Sequence, residues 1–364
     1  MSADMRNRFY IVGSDPKFGT GGASLIVDAY LHFIRENFPG CSLESFYLHQ
    51  ASLKPKLFRY KNVYILFFLI FKLIRGNSSS LLWWHSFSFF DSFLLLFVSS
   101  VSRLLRLKVH IVVTLHLPRY MHVDSAFEKI YYNNVLSSAA TIHFLTPCHY
   151  NSWQSKAFRS LPHIIDVNPL PIHLSRPLQS PTKMPLRNRS ANRTMRIFSM
   201  CQLISVKNID HVIKALTHLP PNYTLDIAGR GSEESALRAL VYSLNLSSRV
   251  NFLGFVQDHE KLMHFSRADI FCVPSLSDTQ SIVNVEAILN YTPVYLYHYE
   301  PFRDIYGSLG TVIFVEPSPE ALASAIKETI HHISFQDLKE SAEILRSSIF
   351  SNANLKTSIS SVLK

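Results

Sequence analysis

The sequence predicts an α/β protein built from two doubly wound domains in tandem. Three observations carry that expectation. Apolar runs of four to six residues alternate with helical patterns along most of the 364 residues, as in parallel sheets joined by helical crossovers. The alternation breaks between 169 and 196, in a proline-rich basic stretch, and then restarts. The composition, 47% hydrophobic and 17% charged, excludes a broadly disordered chain, and the length suits two domains of ~100–200 residues each.

In the first half, residues 9–13 (FYIVG) form a strand that runs into a glycine loop at 19–22 and a helical pattern over 23–36. Further strands are predicted at 81–84, 109–114 and 141–145, with helical stretches between them. The stretch 169–196 holds five prolines and almost no periodic apolar signal, and reads as an interdomain linker. Beyond it, strands are predicted at 196–200, 223–228, 250–253, 270–273, 293–297 and 311–314. Helices are predicted at 209–219, 235–244, 259–268, 282–289 and 319–331. Ligands of open α/β sheets bind outside the carboxyl ends of the strands, so a cleft between the two domains is the expected site.

Charge divides the chain unevenly. Residues 1–196 carry 23 Lys/Arg against 9 Asp/Glu, a balance of +14, whereas 197–364 carry 13 against 17. A basic half calls for an anionic partner, a nucleic acid or a membrane surface. Aromatic-interleaved RNA motifs are absent, which argues against nucleic acid. The apolar run 63–74 is shorter than the ~20 residues a span requires, and Lys72 interrupts it. The polar, charged start at 1–9 does not read as a secretory signal, and four scattered cysteines read as reduced thiols. A cytoplasmic protein on the inner face of a membrane is the expectation.

Several chemistries lack their motif. There is no Gly-x-x-x-x-Gly-Lys, no HExxH, no Gly-x-Ser-x-Gly and no Asp-x-Asp, so neither a Walker cradle nor a metal-bridged nucleotide site is expected. The strongest positive signal is the loop and helix from Pro274 through Asp278 and Ser281 to Glu286. Backbone N–H groups at that helix start would hold a phosphate without a cation, and a shielded carboxylate at Glu286 would accept hydroxyl hydrogen bonds from a ribose. Read alone, the same residues also suit a capping Asp278 and a solvated Glu286. Likewise, His116 at the end of the strand 109–114 reads alone as a satisfied, partly buried histidine.

Taken together the motifs resemble the C-terminal nucleotide-sugar domain of GT-B glycosyltransferases of family GT4, the retaining glycosyl transferase group 1. Asp278 and Glu286 stand in that family's acidic-x7-acidic motif, with Asp where Glu is usual, followed by Thr279-Gln280-Ser281. Residues 251–256 (NFLGFV), 223–231 (YTLDIAGRG) and 207–213 (KNIDHVI) resemble three further family segments in the right order. Gly21-Gly22-Ala23 resembles the glycine loop, residues 113–116 (VTLH) the His-bearing strand end, and Trp84-His85 another. The resemblance departs at Cys201-Gln202, where Gly-Arg is usual, at Asn208 and at Ser281, both usually Gly. Losing that Arg removes a bidentate phosphate donor.

The resemblance implies two Rossmann-like domains facing each other across a cleft: an acceptor-side domain at 1–170, a linker at 171–195, a nucleotide-sugar domain at 196–345 and a tail at 346–364. It implies a retaining, metal-independent hexosyltransferase with no cofactor, moving sugar from a nucleotide-diphosphate donor to a glycan or lipid-linked acceptor in cell-surface polysaccharide or glycolipid synthesis. Lys207, Gln202 and the helix start at Ser281 and Ile282 would stabilise the leaving diphosphate, near which Gly22 also lies. Asp278 would hold the sugar hydroxyls, Glu286 the ribose, the main chain at Val256 and Gln257 the base, and His116 the sugar. The alternative is an inactive sugar-nucleotide-binding scaffold subunit of a transferase complex.

Overall fold

The computed structural model describes residues 8–14, 22–49, 55–75, 80–86, 89–115, 137–148, 150–151, 165–167, 193–278, 280–349 and 356. The chain folds as two units, Met1–His173 with Phe350–Lys364, and Leu174–Ile349. Most of the predicted linker and tail lie outside the described residues.

In the first unit the elements are β1 (Arg8–Ser14), α1 (Gly22–Asn37), β2 (Ser42–His49), α2 (Pro55–Arg75), β3 (Ser80–Ser86), α3 (Phe89–Leu104), β4 (Val109–Leu115), β5 (Thr141–Phe144) and β6 (Ile165–Val167). The strands form a parallel sheet in the order β2-β1-β3-β4-β5-β6. The chain runs outward from β1 in both directions, so the sheet is doubly wound with its switch point between β1 and β3. Alternate strand residues serve the two faces. Tyr10, Val12, Leu82, Trp84, Ile111 and Val113 share one core with Leu66, Leu69, Ile70 and Leu73 of α2 and Leu94, Leu95 and Val98 of α3. Phe9 and Trp83 meet the other side, against Phe38 and Tyr30.

The predicted strand-end histidine of β3 turns out to be a core residue. His85 is buried, its ring stacked on Trp83 at 6.0 Å and 4° and lying 4.8 Å from the ring of Tyr30. Burial, reinforced by neighbouring His143, pulls its pKa down to about 3. The folded unit therefore keeps the imidazole neutral, while the unfolded chain takes up a proton below ~6.5. Stability is expected to be unaffected by this residue above that value and to fall as pH drops from it toward 3, by about 1.4 kcal/mol per unit. Urea melts at pH 7 and pH 5 test this. His85→Phe should flatten the difference, and an unaltered difference in that variant would refute it.

The second unit contains β7 (Met195–Met200), α4 (Ile209–Ala215), β8 (Tyr223–Ala228), α5 (Glu234–Ser243), β9 (Val250–Gly254), α6 (Asp258–Arg267), β10 (Ile270–Cys272), α7 (Ile282–Leu289), β11 (Val294–Tyr297), α8 (Glu300–Tyr306), β12 (Val312–Val315), α9 (Pro319–Thr329) and α10 (Phe335–Ile344). Its parallel sheet runs β12-β11-β10-β7-β8-β9, so the switch point lies between β7 and β10. Ile197, Leu225, Ile227, Ile270 and Tyr295 face Val212, Ile213, Leu237, Val241, Leu322 and Ile326. On the opposite face Phe198, Phe265 and Phe271 pack ring on ring. The helix predicted at 209–219 tightens after Ala215 into a 3-10 turn, Leu216–His218, ahead of Pro220.

Candidate functional site

The switch point of the second sheet collects the loops that follow β7 and β10, and these carry Lys207, Asp278 and Ser281. The loop after β7 is held by main-chain bonds to the β8–α5 turn. Cys201 N–H donates to Ala228, Leu203 N–H to Arg230, and Glu233 N–H back to the Leu203 carbonyl. Such backbone-on-backbone packing leaves no space for side chains. A β-carbon on Gly229, whose φ is 128°, would lie 1.8 Å from the Cys201 oxygen, and one on Gly231 would lie 2.1 Å from the Leu203 oxygen.

A 3-10 turn, Ser205–Lys207, ends at Asn208 in the left-handed region, φ 51° and ψ 38°. The Asn208 amide donates to the Pro274 carbonyl at 2.9 Å, and the Ser275 hydroxyl donates to the Val206 carbonyl at 3.2 Å. These bonds tie the β7 loop to the β10 loop. Asn208→Ala would remove one tie and place a residue without local side-chain hydrogen bonding at positive φ. The expected cost is about 1–2 kcal/mol, read as a lowered thermal midpoint. An unchanged midpoint would show that the tie contributes nothing.

The joined loops bring Lys207 against Asp278, with Nζ donating to the two carboxylate oxygens at 2.6 and 2.5 Å. Asp278 is therefore an ion-pair partner and not the cap of the following helix. The cap position is Ser281, at φ 50° and ψ 84°, with no side-chain cap bond. Both departures from glycine, Asn208 and Ser281, thus fall where the backbone is left-handed. The loop before α7 is anchored from below by the buried Tyr306, whose hydroxyl donates to the carbonyls of Gln280 and Ser281. Burial, with Asp278 nearby, holds that phenol well above its usual pKa, so it remains a donor.

Glu286 lies one turn into α7 and receives Lys261 of α6 at 3.4 Å. The Gln257 N–H is taken by the Glu260 carboxylate at 3.0 Å, and its carbonyl accepts from Glu260 and Lys261. Gln257 is exposed, whereas Val256 is buried. Gln202 is exposed on the β7 loop. Beside it the Cys201 thiol is pushed up to about 12 by burial, with opposing influences from Lys207 and Asp278, so it is a neutral thiol and not a nucleophile.

The predicted residues Lys207, Asp278, Ser281, Ile282 and Glu286 are thus gathered on the joined β7 and β10 loops and the helix they start. Gln257 connects to them through Lys261 of α6, whose N–H donates to the Gln257 carbonyl and whose ammonium reaches Glu286. In the first unit, Gly22 is the first residue of α1. His116 and Thr279 lie outside the described residues. Lys261 and Tyr306 were not singled out by sequence reasoning, since each meets a partner 25 positions away with no local motif. Two cations, two carboxylates and a helix start offering N–H donors suit a polyhydroxylated anion: donors for phosphate oxygens, acceptors for hydroxyls.

Residues 185–343 match the family described as glycosyl transferases group 1. The chain is 30% identical over 148 residues to an Escherichia coli protein named O-antigen biosynthesis glycosyltransferase WclY, covering 38% of this chain and 41% of that one. It is 26% identical over 161 residues to the alpha-monoglucosyldiacylglycerol synthase of Acholeplasma laidlawii, covering 43% and 38%. The chain spans about a third to two fifths of the length of the curated relatives it matches. The structure of Anabaena HepE, solved with UDP and glucose, superposes with a TM-score of 0.70 at 15% identity, over 98% of this chain and 99% of that one. The fold is accordingly GT-B, with two Rossmann-like domains.

Proposed function

We propose that this protein is a retaining glycosyltransferase that moves a sugar from a nucleotide-diphosphate donor to a hydroxyl of a glycan or lipid-linked glycan. The observation that carries the reading is the Lys207–Asp278 pair beside the start of α7, with Glu286 one turn further, at the sheet's switch point. The match of 185–343 to glycosyl transferases group 1 and the names of the relatives support it.

In this reading Lys207 exchanges Asp278 for the donor diphosphate, aided by the Gln202 amide and the N–H groups of Ser281 and Ile282. Asp278, released, accepts from hydroxyls of the donor sugar. Glu286, oriented by Lys261, accepts from the ribose. Both main-chain groups of Gln257 are engaged within the protein, so contact with the base falls to Val256. The resemblance of residues 21–23 and 113–116 to the family's glycine loop and His-bearing strand end gives Gly22 the role of an N–H donor to phosphate and His116 that of aligning the sugar. As the glycosidic bond breaks, negative charge collects on the leaving phosphate, which takes the proton of the attacking hydroxyl on the same face of the sugar. Configuration is retained without an enzyme nucleophile, a divalent cation or a cofactor. The proposed protein acts in cell-surface polysaccharide or glycolipid synthesis, peripheral on the inner face of the membrane.

Glu286→Gln tests the ribose assignment. It preserves shape but replaces a charged acceptor, so donor affinity is expected to fall ten- to a hundredfold, about 1.5–3 kcal/mol, with the fold intact. Calorimetric titration across a set of nucleotide sugars, combined with transfer to a lipid-linked acceptor, measures both steps. Undiminished donor affinity in the folded variant would overturn the assignment, and donor binding by the native protein without transfer to any acceptor would favour a scaffold.

A further inference from the structure

Helix α2 has two apolar faces, and its own unit covers one of them. Leu66, Leu69, Ile70 and Leu73 pack into the core. On the other side Tyr64, Phe67, Phe68, Phe71 and Ile74 are 71, 63, 42, 46 and 49% exposed. Steps of three or four residues link Tyr64 to Phe67 and Phe68, these to Phe71, and Phe71 to Ile74, in one continuous stripe along the helix. A helix apolar all round normally belongs inside a protein or against lipid, and a contiguous exposed apolar patch marks an interaction surface.

Charge identifies the occupant. The 21 residues of α2 include five Lys/Arg and no Asp/Glu. Two of those cations sit on the stripe itself: Lys72 Nζ lies 5.4 Å from the ring of Phe68 and the Arg75 guanidinium 4.7 Å from that of Phe71. Lys72 also pairs with Glu44 at 3.2 Å. A second copy of the chain would bring two such basic helices together, which charge repulsion opposes. An anionic lipid surface complements both the rings and the cations. No described helix is long and apolar enough to cross a membrane, so the contact lies in the interface plane.

We propose that α2 is an interfacial helix that seats Tyr64, Phe67, Phe68, Phe71 and Ile74 among the headgroups and upper acyl chains of an anionic phospholipid bilayer, with Lys72 and Arg75 at phosphate level. This deepens the membrane part of the functional reading and rests on it. Vesicle binding measured with no donor or acceptor present succeeds or fails independently of sugar transfer.

The experiment uses the full chain with vesicles of phosphatidylglycerol and phosphatidylcholine, and of phosphatidylcholine alone. Phe67→Ser/Phe71→Ser should lower partitioning about 30-fold or more on the anionic vesicles, because two ring insertions are lost. Lys72→Gln/Arg75→Gln should lower it about tenfold on anionic vesicles at low salt and hardly at all on neutral ones or at high salt. Phe67→Trp keeps the stripe apolar, and the indole emission it adds should be quenched by lipids brominated in the upper acyl chain. Wild-type partitioning by the double serine variant would overturn the proposal. So would added emission from the Phe67→Trp protein that stays unquenched on bound vesicles. A dimer dispersed by Phe67→Ser/Phe71→Ser, with vesicle binding unchanged, would assign the stripe to a second copy instead.

Discussion

Lys207→Ala is expected to lower the rate of sugar transfer at saturating donor by about 10²–10³-fold, more than it weakens donor binding. The reason lies in when the charge develops. The diphosphate is already anionic in the bound donor, but its charge on the leaving oxygen grows as the glycosidic bond breaks, so a cation there favours the transition state over the ground state. In the proposed mechanism, with Gln202 standing where the resemblance has Arg, Lys207 would carry most of that task. The structure adds a second consequence. Lys207 neutralises Asp278 through two short bonds, so its removal leaves a partly buried carboxylate beside the incoming phosphates. Lys207→Ala/Asp278→Asn should therefore recover part of the donor affinity lost in Lys207→Ala while leaving turnover low. Steady-state kinetics and donor titration on the three proteins separate the two effects. Native turnover in a folded Lys207→Ala protein would remove Lys207 from the mechanism. Identical donor affinity in the single and double variants would remove the electrostatic coupling.

That pair also shows what the sequence made legible. The strands of both sheets are short runs of apolar residues buried on two faces, so Phe9, Ile11, Ile197 and Phe271 announce themselves as core. The edge strand β2 escapes that signal, because Ser42, Glu44 and Ser45 leave an alternation too weak to separate from a loop. At the site, residue type and spacing mark Asp278, Ser281 and Glu286 as one motif, but not that Asp278 closes on Lys207, 71 positions away. Separation in sequence likewise hides Lys261 and Tyr306, whose roles exist only once α6 and α8 pack against the loop and helix that hold the motif. Asn208 and Ser281 read as departures from glycine. In the structure both occupy the backbone conformation that glycine adopts at least cost, so the chain there meets the same geometric demand with residues that bear it less easily.

The two glycines packed against the main chain of Cys201 and Leu203 face a harder constraint, and Gly231→Ala is expected to destabilise the second unit by about 3 kcal/mol or more. A methyl there would sit 2.1 Å from the Leu203 carbonyl oxygen and 2.5 Å from its carbon, both main-chain atoms that no rotamer change can move aside. Relief requires the 201–207 loop to lift, breaking the Leu203–Arg230 and Glu233–Leu203 main-chain bonds. For a unit of this size 3 kcal/mol corresponds to a midpoint lowered by roughly 6–12 °C. Gly310→Ala is the matched control, since a β-carbon at Gly310 meets nothing within 4 Å, and its midpoint should stay within about 2 °C of the native value. The lifted loop carries Lys207, so any Gly231→Ala protein that remains folded should also lose donor affinity, in contrast to Gly310→Ala. Calorimetric melts and donor titration of both variants measure the two consequences. A Gly231→Ala protein with the native midpoint and native donor affinity would show that the β7 loop does not rest on the β8–α5 turn as described.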